Sequence, residues 1–315
     1  MPAFKESNIA HFAAQKGSDI PVAVFIGGTS GVGEAMAHTF AQYTNGKARI
    51  AILGRNKEAG ERILSELPKP DGEEQAPERI FIQCDVSLMR NVSSAVQQLK
   101  DSFSKINYLV ISTGFVDVAG RKETPEGLES RLAVTYYSRW LFIKELLGLV
   151  EKAKEEGEEA AVMSMLASGY GGEINEEDWE VKEDYSTMKS MTTAATYNDL
   201  LVESFAERNP SVPFIHVHPG MVRTPIFFRS PSLIWKFIGL IVHTVGRLFT
   251  TSAEESADAM WNIIVKVSQG GGSYRMDSNG KDLGKEGKYF GTKERGKGLW
   301  EHTESAISRS LNTQL

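Results

Sequence analysis

The amino-acid sequence predicts an α/β domain, a doubly wound parallel sheet in a single body, and three observations predict it. Short β-branched runs alternate with helical patterns along most of the 315 residues, the signature of strands joined by helical crossovers and covered on both faces. The first apolar run, Val22 to Ile26, passes through a glycine turn directly into a helical pattern. Hydrophobic residues make up 41% of the chain and charged residues 24%, enough apolar material for one large core in an ordinary globular composition.

Taken in order, residues 22–28 form the first strand and about 32–44 the first helix. ARIAILGR (48–55) is the second strand, followed by a helix from Lys57 to Leu67. The polar stretch PKPDGEEQAPE (68–78) is a loop before RIFIQCDVS (79–87), and another helix leads to INYLVISTGF (106–115). A long amphipathic segment, 126–156, precedes AAVMSML (160–166), and a second long helix, 187–208, precedes PFIHVHPG (213–220). GSYRMDSNGKDL (272–283) reads as a last strand and turn. These elements divide the chain into an N-terminal extension (1–20), a main domain (21–285) with a lid at 225–251, and a tail (286–315) whose charges read as solvated surface.

The bulk properties exclude several functions. A formal charge of −6 with no basic stripe argues against nucleic acid as a partner. One cysteine, Cys84, rules out an internal disulfide or a cysteine-rich zinc cluster and fits a reducing compartment, so a cytoplasmic location is expected. No signal-peptide or charge-free membrane-spanning run is expected.

The glycine turn carries the chemistry. Gly27, Thr29, Ser30, Gly31, Val32 and Gly33 lie between a strand and a helix start, where glycines let the backbone approach a pyrophosphate and the helix N-terminus attracts it. In that context the turn points to a dinucleotide.

With these residues in place, the chain resembles the short-chain dehydrogenase/reductase family over roughly residues 20–280, and uncharacterised fungal reductases within it, which implies a Rossmann-type fold and a setting in fungal specialised metabolism. The family's T-G-x-x-x-G-x-G reads here Ile26 to Gly33, with Ile for Thr; Asp85-Val86 matches its adenine-contacting pair. Pro219-Gly220-Met221-Val222-Arg223-Thr224 matches the P-G-x-V-x-T segment that closes over the nicotinamide. At the end of the second strand an NAD-preferring site carries an acidic residue, whereas this chain has Gly54-Arg55-Asn56. The guanidinium of Arg55 suits a 2′-phosphate, so NADP(H) is the expected cofactor. The fourth strand ends Ser112-Thr113-Gly114 where the family has Asn-Asn-Ala-Gly; Gly114 keeps the close approach.

For catalysis the resemblance implies a Tyr acid/base helped by a Lys four residues on, with Ser and Asn in support. The chain has one such pair, Tyr185 and Lys189, with Ser164 or Ser168 to polarise a carbonyl. Register supports a second reading. Matching Ile174 and Asp178 to the I-x-x-x-D-L of the retinol-dehydrogenase-like branch makes Tyr185 a non-catalytic upstream tyrosine. The serine, tyrosine and lysine slots then fall on Leu166, Met191 and Ala195, and the asparagine slot near Thr135. Both readings stay open here: a carbonyl/alcohol oxidoreductase using Tyr185/Lys189, or an NADP(H)-binding protein with a degenerate tetrad that acts as a scaffold, regulator, cyclase or isomerase. Arg131 reads as solvent-facing, and His216 and His218, without carboxylate or cysteine partners nearby in sequence, as structural rather than metal ligands. Residues 231–249 carry an apolar stripe with Lys236, His243 and Arg247 opposite. This helix serves as a lid over a lipophilic substrate, as a membrane-surface contact or as a homodimer contact.

Overall fold

The computed structural model describes residues 2–14, 20–70, 72, 77–114, 120–223 and 250–313. Seven parallel strands form one sheet in the order β3-β2-β1-β4-β5-β6-β7: β1 Val22–Ile26, β2 Arg49–Gly54, β3 Arg79–Gln83, β4 Tyr108–Ile111, β5 Ala161–Met165, β6 Pro213–Val217 and β7 Gly272–Met276. The chain leaves β1 towards β3 and returns to place β4 beside β1, so the strand order reverses there. A crevice outside the carboxyl ends of β1 and β4 is the binding position such a reversal creates.

The strands are apolar on both faces because both faces are covered. Val22, Val24 and Ile26 join one core, and Ala23 and Phe25 the other, as the two-residue period of a strand requires. The first core is closed by α4 Met89–Ser102, α6 Ser138–Glu155 and α7 Thr187–Arg208, the second by α2 Gly31–Tyr43 and α8 Ala253–Val267, with Ile63 of α3 Lys57–Glu66. A short turn, α5 Ser130–Leu132, runs through a π-helical turn, Ala133–Tyr137, into α6. Capping is local and legible: the Ser252 and Glu255 side chains form a capping box at the start of α8, and Ser186 accepts from the Lys189 N–H at the start of α7, each satisfying donors that a helix N-terminus leaves open.

Both ends of the chain pack against the sheet domain. Residues Pro2–Ala14 form α1, whose Phe12 meets Phe40, Tyr43, Tyr108 and Trp261 ring to ring. In the tail, Lys293–Asn312 forms α9. Its charges face outwards along one side only: Leu299, Thr303, Ala306 and Ile307 are buried, the Thr303 hydroxyl pairs with that of Tyr136, and Trp300 packs on Trp140. No helix of the described residues is long and apolar enough to cross a membrane.

Candidate active site

Gly27 follows β1 with φ +93°, a backbone that side chains disfavour. Its N–H continues the sheet by donating to the Leu53 carbonyl. A Cβ on Gly27 would lie 2.9 Å from the Thr113 nitrogen, and one on Gly33 would lie 2.4 Å from Ser112 Oγ and 2.7 Å from the Gly27 carbonyl. The turn, the first coil of α2 and the end of β4 therefore meet with room for hydrogen atoms alone. Ser30 is extended and its side chain does not cap α2, so the first-turn N–H groups and the helix dipole are directed at the crevice. Thr29 and Val32 are buried beneath the turn. The chain thus has the cradle a pyrophosphate needs, and a bound nicotinamide dinucleotide would be held here by Gly27 to Gly33.

At the neighbouring strand ends, the Arg55 side chain is exposed and makes no hydrogen bond or ion pair among the described residues. Its carbonyl accepts from Gln83 Nε2. The Asn56 side chain is occupied in capping α3, accepting from the Ala59 N–H at 3.0 Å. Asp85 Oδ1 accepts from both the N–H and the hydroxyl of Ser87, which fixes the turn after β3, and Val86 is buried. Beside it, burial pushes the Cys84 thiol up to about 12, leaving it protonated and inert.

The structure does not assemble the expected catalytic group. Tyr185 lies before α7 with its hydroxyl 3.5 Å from Glu129 Oε1, whereas Lys189 Nζ donates to the Glu183 carbonyl. The two side chains are committed to different partners because Tyr185 precedes the helix and so lacks the i, i+4 geometry that their spacing implied. Ser164 is also no free hydroxyl. It is wholly buried, accepts from an Arg139 guanidinium N–H, and donates to Asn198 Oδ1 at 2.7 Å. Ser168 is buried, and its hydroxyl has no partner among the described residues. The positions reached by register carry no acid or base: Leu166 is partly buried, Met191 exposed and Ala195 buried. Arg131 is buried rather than solvent-facing.

What occupies this region instead is a polar seam one residue beneath the carboxyl edge. Ser164, His216 and Arg275 are the penultimate residues of β5, β6 and β7 and pair in register. Asn198 and Asp199 reach them from α7, and Arg139 from α6. Asn198 Nδ2 donates to the carbonyls of Thr135 and Ala194, and the π-helical turn supplies the Thr135 carbonyl by breaking the α-helical ladder. Asp199 Oδ1 lies 2.6 Å from His216 Nδ1 and 2.9 Å from Arg275 Nε. His216 Nε2 faces the Ala167 N–H at 3.2 Å, so this nitrogen accepts and the proton sits on Nδ1. Burial lowers the pKa of His216 against the pull of Asp199, which agrees with a neutral ring. Arg139 bonds Ser164 and the Thr113 carbonyl, and burial pulls its pKa down to about 9.

Beyond β6, Pro219 accepts from Ser256 Oγ, Gly220 donates to His218 Nδ1 and Val222 bridges to Thr251. Thr224 and most of the lid, including the whole of 231–249, lie outside the described residues. Around the carboxyl edge four large apolar side chains stay exposed: Tyr170, whose ring meets that of His218 at a tilt, and Met188, Met191 and Met221.

The short chain dehydrogenase family profile matches residues 21–231. An oxidoreductase of Emericella nidulans is 35% identical over 75% of this chain and 69% of its own length. The oxidoreductase andH of Emericella variicolor is 32% identical over 85% of this chain and 76% of its own. Among solved structures, an alcohol dehydrogenase from Thermococcus sibiricus complexed with 5-hydroxy-NADP superposes with a TM-score of 0.59 at 20% identity, covering 84% of this chain and 98% of that one.

Proposed function

The chain belongs to the short-chain dehydrogenase family, and we propose that it is an NADP(H)-dependent oxidoreductase acting on a carbonyl or alcohol of a lipophilic small molecule. The observation that carries the cofactor assignment is Arg55, a guanidinium at the end of β2 that is unpaired among the described residues, beside the glycine cradle and where a 2′-phosphate would lie. The archaeal relative of known structure holds an NADP derivative on the same fold. Met188, Met191, Met221 and Tyr170, large apolar side chains exposed on the carboxyl side of the sheet, favour an apolar substrate.

When bound, the cofactor supplies or accepts the hydride. Gly27–Gly33 would hold its pyrophosphate, Arg55 its 2′-phosphate, and Thr113 and Gly114 would lie near the far ribose. Among the described residues, the positions that register assigns to proton transfer, Leu166, Met191 and Ala195, carry no acid or base. The vacated positions at Leu166, Met191 and Ala195 favour one second reading: an NADP(H)-binding protein without net redox turnover, as scaffold or isomerase.

Incubation with NADPH and a panel of hydrophobic ketones and aldehydes tests the proposal. Consumption of NADPH with formation of the alcohol is expected; product formation without NADPH loss would establish the isomerase instead. For cofactor choice, Arg55→Ala is expected to weaken NADPH by about tenfold or more and NADH hardly at all, the loss of a charge-assisted phosphate contact. Equal losses would contradict the 2′-phosphate assignment.

A further inference from the structure

The seam beneath the carboxyl edge is unbalanced in charge. Two buried guanidiniums, Arg139 and Arg275, share it with one buried carboxylate, Asp199, and His216 is neutral by its hydrogen bonds. Asp199 is taken up by Arg275 and His216. Among the described residues Arg139 has only neutral partners, the Ser164 hydroxyl and the Thr113 carbonyl, and its Nε has none. An arginine cannot shed its proton at working pH, and a wholly buried charge is poorly screened by salt. Its field therefore reaches the neighbouring crevice.

The direction of that field follows from the sheet order. Arg55 sits at the end of β2, and the helix N-terminus that holds the pyrophosphate follows β1. A dinucleotide running from β2 across β1 places its other end over β4 and β5. Arg139 holds those two strands, through Thr113 just beyond β4 and Ser164 in β5. The ring that lies there is positively charged when oxidised and neutral when reduced, while the rest of the molecule is the same in both.

We propose that Arg139 is a fixed positive charge beneath the nicotinamide end of the crevice, which makes the protein hold NADPH in preference to NADP+. This rests on the cofactor reading above. Arg139 is a positioning and electrostatic residue; it does not touch the reacting atoms. At an effective dielectric of about 20 and a separation of roughly 10 Å, one unit charge against another changes affinity by about tenfold.

The test is a pair of dissociation constants, for NADPH and NADP+, measured by protein fluorescence on the intact chain and on Arg139→Met, Arg139→Gln and Arg139→Lys. Glutamine keeps donors for Ser164 and Thr113, so it remains informative if the methionine variant fails to fold. The intact protein is expected to bind NADPH about tenfold more tightly than NADP+. Methionine and glutamine should bring the two within about twofold of each other, and lysine should keep most of the preference. A merely structural arginine would weaken both forms alike and leave the ratio unchanged, which overturns the proposal. So does a ratio near one in the intact protein. If the intact protein binds neither form, the cofactor reading itself has failed, and this inference falls with it.

Discussion

Replacing Gly33 by alanine separates a helix residue from a cradle residue. Gly33 lies in the first turn of α2, and in an unconstrained helix alanine gains about 1 kcal/mol over glycine. Here the added methyl would stand 2.4 Å from Ser112 Oγ and 2.7 Å from the Gly27 carbonyl. The hydroxyl can rotate, but the carbonyl is backbone and is held by the turn. Such overpacking costs about 1 to 3 kcal/mol, so the net effect is a destabilisation of about 1 kcal/mol, a few degrees in Tm for a chain of this size. The larger consequence is for binding. Relief comes by moving α2 away from the Gly27 turn, which opens the cradle, and NADPH affinity is expected to fall by about tenfold or more. Thermal unfolding without cofactor and a fluorescence titration with NADPH read the two effects. Gly148→Ala is the internal control, since Gly148 lies in α6 with nothing within 4 Å of its Cβ position and should gain stability. A Gly33→Ala protein that is more stable and binds NADPH unchanged would refute the close-approach argument.

Tyr185→Phe and Lys189→Ala are each expected to leave kcat within about threefold, because the two side chains bond Glu129 and the Glu183 carbonyl rather than each other; a loss of a hundredfold in either would restore them as the catalytic pair. His302 gives a pH signature. Burial lowers its pKa from 6.5 to about 4, and its Nε2 faces the Tyr137 hydroxyl at 2.7 Å. Between about pH 6.5 and 4 the unfolded chain takes up the proton and the folded one does not, so stability falls as pH falls through that window, by up to about 3 kcal/mol. His302→Gln should flatten this part of the urea-stability profile relative to the parent, and an identical slope in the two proteins would refute the assignment. Ser252→Ala removes the capping box of α8 and should cost about 1 kcal/mol, seen as a lower urea midpoint with an unchanged slope.

Much of the architecture was legible in the sequence because its signals are local. Alternating apolar runs located β1 to β7 to within a few residues, and the turn at Gly27 to Gly33 located the crevice, since a glycine between strand and helix has a short-range steric cause. Helix α9 was hidden for the opposite reason: its apolar residues are sparse, and Leu299, Thr303 and Ile307 declare a face only when α4 and α7 are there to receive it. The catalytic region showed the same limit. Tyr185 and Lys189 have the right spacing, but spacing brings side chains together only if both lie in one helix, and α7 begins at Thr187.

Nothing local marks Ser164, His216 and Arg275 as neighbours. They are brought side by side by the register of three parallel strands joined through distant crossovers, and Arg139, Asn198 and Asp199 reach them only because α6 and α7 cover that face. By itself, the sequence determined the parallel sheet, the glycine cradle and the basic residue after β2, each the product of contacts within a few residues along the chain. Only the tertiary structure decided that Ser164 is locked away, that the tyrosine and lysine part company, and that a buried guanidinium lies beneath the crevice. Burial and cross-strand register are long-range properties, and they belong to the assembled sheet rather than to any segment of it.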